Sequence, residues 1–247
     1  MPEVVPHVAT IPFWAAIIFN NRMGVMADRK IRQAFQAAID SESVMRAAYG
    51  PNRFWRLTSG LMPKGHPLYT ESGKELYNQN NVQRARQLLQ ESSYRGERVR
   101  WLTSADFPPL ASAAQVIKPM LERAGMSVDL QVMEWGALVA RRVRPELWDV
   151  FSVQIPFFPD PVLMTPLQDN WPGWWSDRDG QAMVELMKRH TDPKVRFEIW
   201  TRLQRRWYED AGSLRIGEFF EMQAYRRELR GFFEAPTNTW WNAHIVR

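Results

Sequence analysis

An apolar run near the start of the chain constrains its fold most strongly. Residues Ile11 to Asn20 read IPFWAAIIFN and include no charged side chain. A continuous apolar run of this kind, in contrast to an alternating one, is typical of a strand buried on both faces. We therefore predict a strand here that other elements cover on both sides.

Helices and strands are predicted to alternate after this run. Asp28, then Asp40 or Ser41, then Asn80 or Asn81 are expected to cap helices, and Asp192 precedes Pro193 at a further helix start. Other helices are predicted at 110–123, 136–143 and 179–190, and strands at 97–103, 127–133, 148–155, 214–220 and 228–233. This alternation indicates a layered α/β domain.

Composition excludes several classes of protein. With 247 residues, 45% hydrophobic and 24% charged, the chain has the composition of a globular protein. It has no cysteine, which excludes disulfides and thiol catalysis. The longest apolar run is far shorter than the roughly 20 residues of a membrane-spanning helix. The first ten residues contain Glu3, His7 and two prolines, which does not match a signal peptide.

The basic charge balance does not indicate nucleic-acid binding. The net charge is +5 and the pI is about 9.7. The arginine pairs at 141–142, 205–206 and 226–227 nevertheless have acidic residues nearby. Mixed charge of this kind is typical of a solvated face, so nucleic acid is not an expected partner.

A long aromatic segment follows the strand predicted at 148–155. Residues 157–175 read FFPDPVLMTPLQDNWPGWW, with four prolines and five large aromatic side chains. The prolines exclude a central strand or a long helix, so the segment is predicted to be a loop. Aromatic side chains in a loop either cover a core edge or line a recognition surface, and the residues alone leave both alternatives open.

No catalytic or metal-binding motif accompanies this loop. The four histidines, at 7, 66, 190 and 244, have no metal-ligand spacing, and no nucleophile elbow or phosphate-binding glycine loop follows a strand. We therefore predict neither an enzyme, nor a metal site, nor a cofactor.

Three stretches together resemble one family. Residues 21–50 contain Arg32-Gln33-Ala34 and end a helix with Ala38-Ile39-Asp40, and residues 80–97 pair an Ala-x-x-Leu-Leu helix with a Tyr-x-Gly turn. Residues 173–244 contain Asp-Pro-x-x-Arg, Gly-x-aromatic and a closing Trp-Asn. Together they resemble bacterial extracellular solute-binding proteins of the peptide, nickel and oligopeptide class, from about Asn20 to the end.

The resemblance implies a fold and a function. Family members are bilobal, capture a peptide or other solute between their lobes, and deliver it to an ABC importer. This chain would be the second lobe of such a type II binding-protein fold, a mixed sheet flanked by helices, acting in the periplasm or outside the cell. The importer's membrane subunits would be its partners. The expected divisions are a crossover from the first lobe at 1–20, the lobe at 21–216, and a returning segment at 217–247.

The same resemblance supplies candidate site residues. Peptide-binding members hold the ligand's amine with an aspartate four residues before a proline, and Phe157 has that place here. Amine anchoring is therefore not expected, and a ligand with an apolar or sugar-like face fits better. Phe157→Asp is expected to raise the affinity for free-amine peptides. The candidate ligand contacts are Phe157, Phe158, Asp160, Trp171 and Arg142, and the candidate hinge residues are Phe19, Asn20, Gly217, Glu218 and Phe219.

One expectation belongs to a different class of function. Without the rest of a bilobal protein, the hinge strands would leave apolar surface uncovered. We therefore expect either a partner chain that supplies the first lobe, or self-association. The alternative function is a lobe that serves as a protein-interaction module and does not capture a solute.

Overall fold

The structure is a computed structural model, and it describes residues 3–232 and 242–246. Within these residues the helices are α1 (Arg29–Ala38), α2 (Ser41–Tyr49), α3 (Val82–Gln90), α4 (Pro108–Ala124), α5 (Trp135–Arg142), α6 (Arg178–Arg189) and α7 (Pro193–Asp210). The strands are β1 (Val4–Val8), β2 (Phe13–Phe19), β3 (Trp55–Arg56), β4 (Arg98–Ser104), β5 (Ser127–Met133), β6 (Val150–Pro156), β7 (Ser213–Phe219), β8 (Met222–Arg226), β9 (Leu229–Arg230) and β10 (His244–Ile245).

The centre of the molecule is a six-stranded mixed sheet in the order β3-β7-β2-β6-β4-β5. Strand β4 runs parallel to β5 and β6, whereas β2 runs antiparallel to both of its neighbours, β6 and β7. The predicted apolar strand is therefore an interior strand of the sheet. Its side chains alternate between two cores, with Trp14 in one and Ala15 in the other.

Helices cover both faces of this sheet. The first core packs α1, α2, α3 and α4 on one face, around Phe35, Trp101 and Ile117. The second core packs α5, α6, α7 and the aromatic segment 157–175 on the other face, around Trp14 and Trp200. The predicted layered α/β fold is confirmed, because a strand that is apolar on both sides needs cover on both sides.

Most helices begin at the side chains that the sequence predicts. Asp28, Asp40, Asn81 and Asp192 each accept hydrogen bonds from backbone N–H groups in the first turn of the helix that follows. Helix α6 begins one residue earlier than predicted, because Asp177 caps it and accepts from the Gly180 N–H at 2.8 Å. These short-range caps are readable from sequence because they depend only on neighbouring residues.

The predicted loop at 157–175 is confirmed as irregular. It contains two single 3-10 turns, Pro161–Leu163 and Thr165–Leu167, and its tip folds back onto β2 at Gly173. A Cβ on Gly173 would lie 2.6 Å from Ile18 Cγ2, and the residue has a φ of +122°. Only glycine therefore allows this close approach.

The chain ends differ from the sequence-based expectation. Strands β1 and β8, from opposite ends of the chain, form a two-stranded antiparallel sheet (the β1/β8 sheet) outside the central sheet, and neither strand was predicted from the sequence. Only Leu229–Arg230 is a strand within the one predicted at 228–233, and Phe233, Trp240 and Trp241 lie outside the described residues. Neither strand of the β1/β8 sheet has the apolar run that marked β2, because neither is buried on both faces.

The predicted divisions at 20/21 and 216/217 do not follow the sheet. Strands β2 and β7 pair with each other over most of their length and belong to the same sheet as the rest of the lobe. The predicted divisions stay a prediction. Among the described residues, no helix is long and apolar enough to cross a membrane.

Candidate ligand-binding site

The carboxyl ends of four strands meet at one edge of the sheet. Strands β4, β5 and β6 are parallel, and β7 points the same way because both β6 and β7 are antiparallel to β2. At this carboxyl edge, Phe13 pairs with Pro156 on one side and Phe219 on the other. In α/β sheets, ligands bind outside the carboxyl ends of the strands.

An aromatic cavity of about 530 Å³ lies at this carboxyl edge. Its walls come from the end of α2, the start of α4, β6 and the connection from β7 to β8. Glu221 is the one charged side chain among the residues that line it. The lining residues are Ala48, Tyr49, Phe54, Phe107, Pro108, Pro109, Gln154, Phe219, Phe220, Glu221 and Met222.

Stacked rings fix one wall of the cavity. The Tyr49 ring stacks on Phe219 with centroids 4.5 Å apart and an interplanar angle of 16°, and Phe219 stacks in turn on Phe13 at 5.6 Å. Gln154 Nε2 donates to Tyr49 Oη at 3.2 Å. Burial raises the pKa of the Tyr49 hydroxyl well above its usual range, so the group stays protonated. A neutral hydroxyl that already accepts one bond still has its own proton to donate.

The opposite wall carries the most accessible ring. Phe107 is 38% exposed and meets Trp135 edge-on at 5.2 Å. It lies just after the carboxyl end of β4, in the turn that opens α4. An exposed aromatic ring held by a rigid turn offers apolar contact area to a ligand at little entropic cost. The sequence signal was a polar and aromatic stretch, Ser104 to Pro109, directly after a buried strand.

The predicted ligand contact Phe157 lies on the other face of the sheet. Its ring is only 3% exposed and packs in the second core, 5.6 Å from the Trp14 ring. The guanidinium carbon of Arg215 lies 5.4 Å from the Phe157 centroid. Phe157 does not line the aromatic cavity, and a stacking contact with a ligand would require its ring to move. Its role as a ligand contact stays a prediction.

Phe158 and Asp160 hold the segment in place. Phe158 is half-buried against the second core. Asp160 pairs with Arg196 of α7 at 2.6 Å and accepts from the Val162 N–H at 3.0 Å. Its carboxylate is therefore used within the fold, and its predicted ligand contact remains untested.

Trp171 and Arg142 are the two predicted contacts that the fold brings together. The Arg142 guanidinium carbon lies 5.5 Å from the Trp171 centroid and 5.7 Å from the rings of Trp135 and Phe151. Burial lowers the pKa of Arg142 below its usual value. Arg142 has no ion-pair partner within the described part of the chain. Neither residue lines the aromatic cavity.

The predicted hinge residues do not form one group. Phe19 and Asn20 are fully buried at the end of β2 that is distant from the carboxyl edge. Gly217, Glu218 and Phe219 belong to β7, with Phe219 at the carboxyl edge beside Phe13. Asn20 donates to the carbonyls of Pro145 and Trp148 at 2.7 and 3.0 Å. Those contacts hold a loop at the amino ends of the strands.

The chain leaves the sheet at the carboxyl edge instead. Residues 9–12 connect β1 to β2, residues 220–221 connect β7 to β8, and the Ala9 N–H donates to the Glu221 carbonyl at 2.9 Å. The β1/β8 sheet therefore continues directly from the edge that holds the cavity. The predicted hinge residues stay a prediction.

A buried cluster of charged residues that was not predicted from the sequence lies behind Phe157. Arg215 and Glu218 have fully buried side chains, and Arg215 Nη2 donates to Glu218 Oε1 at 2.7 Å. Arg215 Nε donates to the Thr58 carbonyl at 3.0 Å. Arg56 Nε donates to the other oxygen of Glu218. The sequence signal was an Arg and a Glu three residues apart inside the buried stretch LRIGEF, where charges are rare.

No group of three or more His, Asp or Glu side chains in the ranges 3–232 and 242–246 is placed to hold a metal ion. The edge instead offers aromatic rings, one amide, one hydroxyl and one carboxylate. Such a set can hold an organic solute by stacking and hydrogen bonds.

The fold is that of one lobe of a bilobal solute-binding protein. A dipeptide-binding protein from a Pseudoalteromonas species, solved with Met-Leu, is 18% identical with a TM-score of 0.84, and the match covers 100% of this chain and 51% of that one. The binding protein AgaA from A. tumefaciens, solved with agropinic acid, is 19% identical with a TM-score of 0.80, covering 100% and 53%.

The chain belongs to family 5 of the bacterial extracellular solute-binding proteins, whose middle-region model matches residues 4–171. This is a family of binding proteins and not of enzymes. The probable peptide ABC transporter periplasmic-binding protein y4tO of Sinorhizobium fredii is 24% identical over 225 residues, which are 86% of this chain and 42% of that protein. The chain thus spans about half the length of the relatives that it matches.

Proposed function

We propose that the chain is the ligand-binding lobe of a solute-binding protein that serves an ABC importer in the periplasm or outside the cell. The observation that carries this proposal is the aromatic cavity at the carboxyl edge, beside the connections to the β1/β8 sheet. Capture there is reversible and involves no chemistry. A ligand held against this edge loses water on its apolar side and keeps hydrogen bonds to fixed polar groups.

The lining of the cavity supports a solute with an apolar or planar face. Tyr49, Phe107 and Phe219 offer ring surface, whereas Gln154 and the Tyr49 hydroxyl can orient a polar group. The position that resemblance assigns to an amine-binding aspartate holds Phe157, which is buried. The solute we favour is therefore a peptide or peptide-like molecule whose recognition does not depend on a free amine.

Solute capture is tested with one dipeptide in four forms. Phe-Leu with a free or acetylated amine, and with a free or amidated carboxyl group, is titrated by calorimetry. We expect at least one form to bind. Native mass spectrometry of the freshly purified protein, in which a co-purified solute is expected, gives an independent measurement. If no form binds and no solute co-purifies, the proposal of capture is wrong.

A matched pair of variants locates the site. Phe107 and Phe197 are almost equally exposed, at 38% and 39%, but only Phe107 lines the cavity. Phe107→Ala should weaken binding of the best dipeptide form about tenfold, which corresponds to about 1.4 kcal/mol of lost stacking. Phe197→Ala on α7 should leave the affinity unchanged. Equal effects of the two changes would place the ligand elsewhere.

A second function is favoured by the outer face of the β1/β8 sheet. Val4, Val8 and Met222 are 39%, 40% and 71% exposed, and Val8 lies directly opposite Met222. An exposed apolar sheet face of this kind is typical of a surface that docks against protein. A lobe that holds a partner protein through this face would co-purify with it in a fixed ratio, which native mass spectrometry detects.

A further inference from the structure

The cluster behind Phe157, fully buried except at Arg56, has more positive than negative charge. Arg215 and Arg56 both pair with the single carboxylate of Glu218, and the structure gives neither arginine another ion-pair partner within the described residues. The Arg215 and Glu218 side chains are 0% exposed. Glu218 can neutralise only one of the two arginines, and the excess positive charge is on Arg56, whose side chain is 35% exposed. The cluster therefore favours an additional negative group.

One donor in this cluster has no acceptor. Arg215 Nη1 is buried and makes no hydrogen bond, although the other two nitrogens of the same guanidinium bind Thr58 and Glu218. The rings of Trp14 and Phe157 lie 4.7 and 5.4 Å from the guanidinium carbon. Contacts with rings compensate a desolvated cation only in part. A buried donor left unpaired needs an explanation, and a bound ligand is one.

The cluster reaches the candidate site from its buried side. Phe157 follows the last residue of β6 at the carboxyl edge and covers Arg215. Arg56 is 35% exposed, and its guanidinium carbon lies 5.3 Å from the ring of Phe220, which lines the aromatic cavity. The positive charge is thus buried at one end and accessible at the other.

We propose that Arg56 and Arg215 form a subsite for an anionic group of the solute, a carboxylate or a phosphate. Arg56 receives the group beside Phe220, a lining residue of the cavity, and Arg215 Nη1 donates to it once the ring of Phe157 moves aside. This inference rests on the proposed function and adds the charge of the ligand to it. A guanidinium is the side chain best suited to such a group, because its N–H donors match the spacing of carboxylate and phosphate oxygens.

The four forms of Phe-Leu also test the charge preference. Both forms with a free carboxylate should bind at least tenfold more tightly than both amidated forms, whatever the state of the amine. Titration of phenyl phosphate distinguishes a phosphate subsite from a carboxylate one. If free and amidated forms bind equally, or if the free amine determines affinity, the anion subsite is wrong while solute capture stands.

Two arginine variants assign the preference to the cluster. Arg56→Gln should abolish the tenfold difference between free and amidated forms. Arg53→Gln is the matched control, because Arg53 lies over the lining ring of Phe54 at 4.7 Å but takes no part in the cluster. A preference that persists in Arg56→Gln, or one that Arg53→Gln abolishes equally, would overturn the assignment.

A carboxylate supplied by the protein itself gives a test without added ligand. Asp in Phe157→Asp would lie beside Arg215 and act as the missing anion, whereas Phe157→Asn is a neutral control of the same size. The Asp variant should melt several degrees higher than the Asn variant and should lose the preference for free carboxylates. The sequence resemblance alone predicts instead that Phe157→Asp gains affinity for free amines. That gain, with equal melting temperatures for the two variants, would refute the anion subsite.

Discussion

At the scale of single residues, one buried ion pair joins the two halves of the fold. Arg32 of α1 pairs with Asp210 at the end of α7 at 2.8 Å and also donates to the carbonyls of Met26, Asp210 and Ala211. Asp210 accepts in addition from Trp175 Nε1 at 2.9 Å. Burial lowers the pKa of Arg32, which the neighbouring Asp210 partly offsets. One ion pair therefore joins a helix from each face of the sheet.

Removal of Arg32 should be strongly destabilising. Arg32→Ala leaves the Asp210 carboxylate buried without a counterion, and we expect a loss of about 3–5 kcal/mol in the free energy of unfolding. Arg29→Ala, an exposed change on the same helix, should cost less than about 0.5 kcal/mol. Urea denaturation of both variants measures the difference. Equal losses would show that the buried pair is not what stabilises this contact.

Asp177 gives the fold a pH-dependent contribution. Its pKa lies below the ordinary value of 3.8, mainly because it accepts hydrogen bonds from Arg206. A lowered pKa means that the ionised group stabilises the folded state. This stabilisation is present above pH 3.8 and is lost as the pH falls through the lowered value.

Asp177→Asn isolates that charge, because asparagine also caps helices well. At pH 7 the variant should lose about 1 kcal/mol or less, since the pair with Arg206 is partly exposed. The gap between variant and wild type should close as the pH falls below 4. Urea denaturation at pH 7, 4 and 3 tests this, and a gap that is constant with pH would contradict it.

The residues at the site show where sequence reasoning ends. Phe107 and Tyr49 are far apart in sequence and line the same cavity only because α2 and α4 pack beside each other over the sheet. Arg215 and Phe157 meet for a similar reason, across the strands of the sheet. Spacing along one sequence does not encode such contacts. The resemblance to a family marked Phe157 as a position, but only the fold gives Phe157 a buried arginine as its neighbour.

At the scale of elements, substitutions of two glycines should change the stability of the fold in opposite directions. Gly173→Ala adds a Cβ 2.6 Å from Ile18 at a φ of +122°, so it should destabilise the fold by about 2 kcal/mol or more. Gly136→Ala in α5 adds a Cβ with no atom within 4 Å and should stabilise by about 0.4–1 kcal/mol. Thermal melting of both variants measures the two signs. A neutral Gly173→Ala would mean that the loop tip does not pack as described.

Elements were predictable where local signals exist and were missed where they do not. Asp192 and Pro193 mark the start of α7, which begins at Pro193 as predicted, and the predicted strand 127–133 matches β5. Strands β1 and β8 carry exposed and half-buried residues in alternation, with Pro6 in one of them. Their pairing depends on each other and not on burial in a core, so neither strand alone has a clear pattern.

At the scale of the whole molecule, the exposed face of the β1/β8 sheet predicts that copies of this chain associate. Val8 and Met222 lie opposite each other and are 40% and 71% exposed. We expect this chain on its own to self-associate in a concentration-dependent way, because association covers this apolar surface. Size-exclusion chromatography over a range of concentrations measures it.

A paired charge should reverse that association. Val8→Lys with Met222→Lys places like charges directly opposite each other on the outer face, which disfavours burial of that face. The double variant should elute as a monomer with unchanged helix content. The control is Leu186→Lys on α6, a residue 43% exposed on a different surface. If the control variant reduces association as strongly as the double variant, the β1/β8 sheet is not the association surface.

The position of β2 also bears on how the chain acquires its structure. Phe13 near the start of the described chain pairs with Phe219 near its end, and β2 pairs with β6 on its other side. The most apolar strand therefore leaves the ribosome long before either neighbour exists. Contacts so distant in sequence are formed late, since a large loop must close first. During synthesis IPFWAAIIFN is therefore an exposed, uncharged β-forming segment, the kind of segment that is prone to aggregation until its partner strands form.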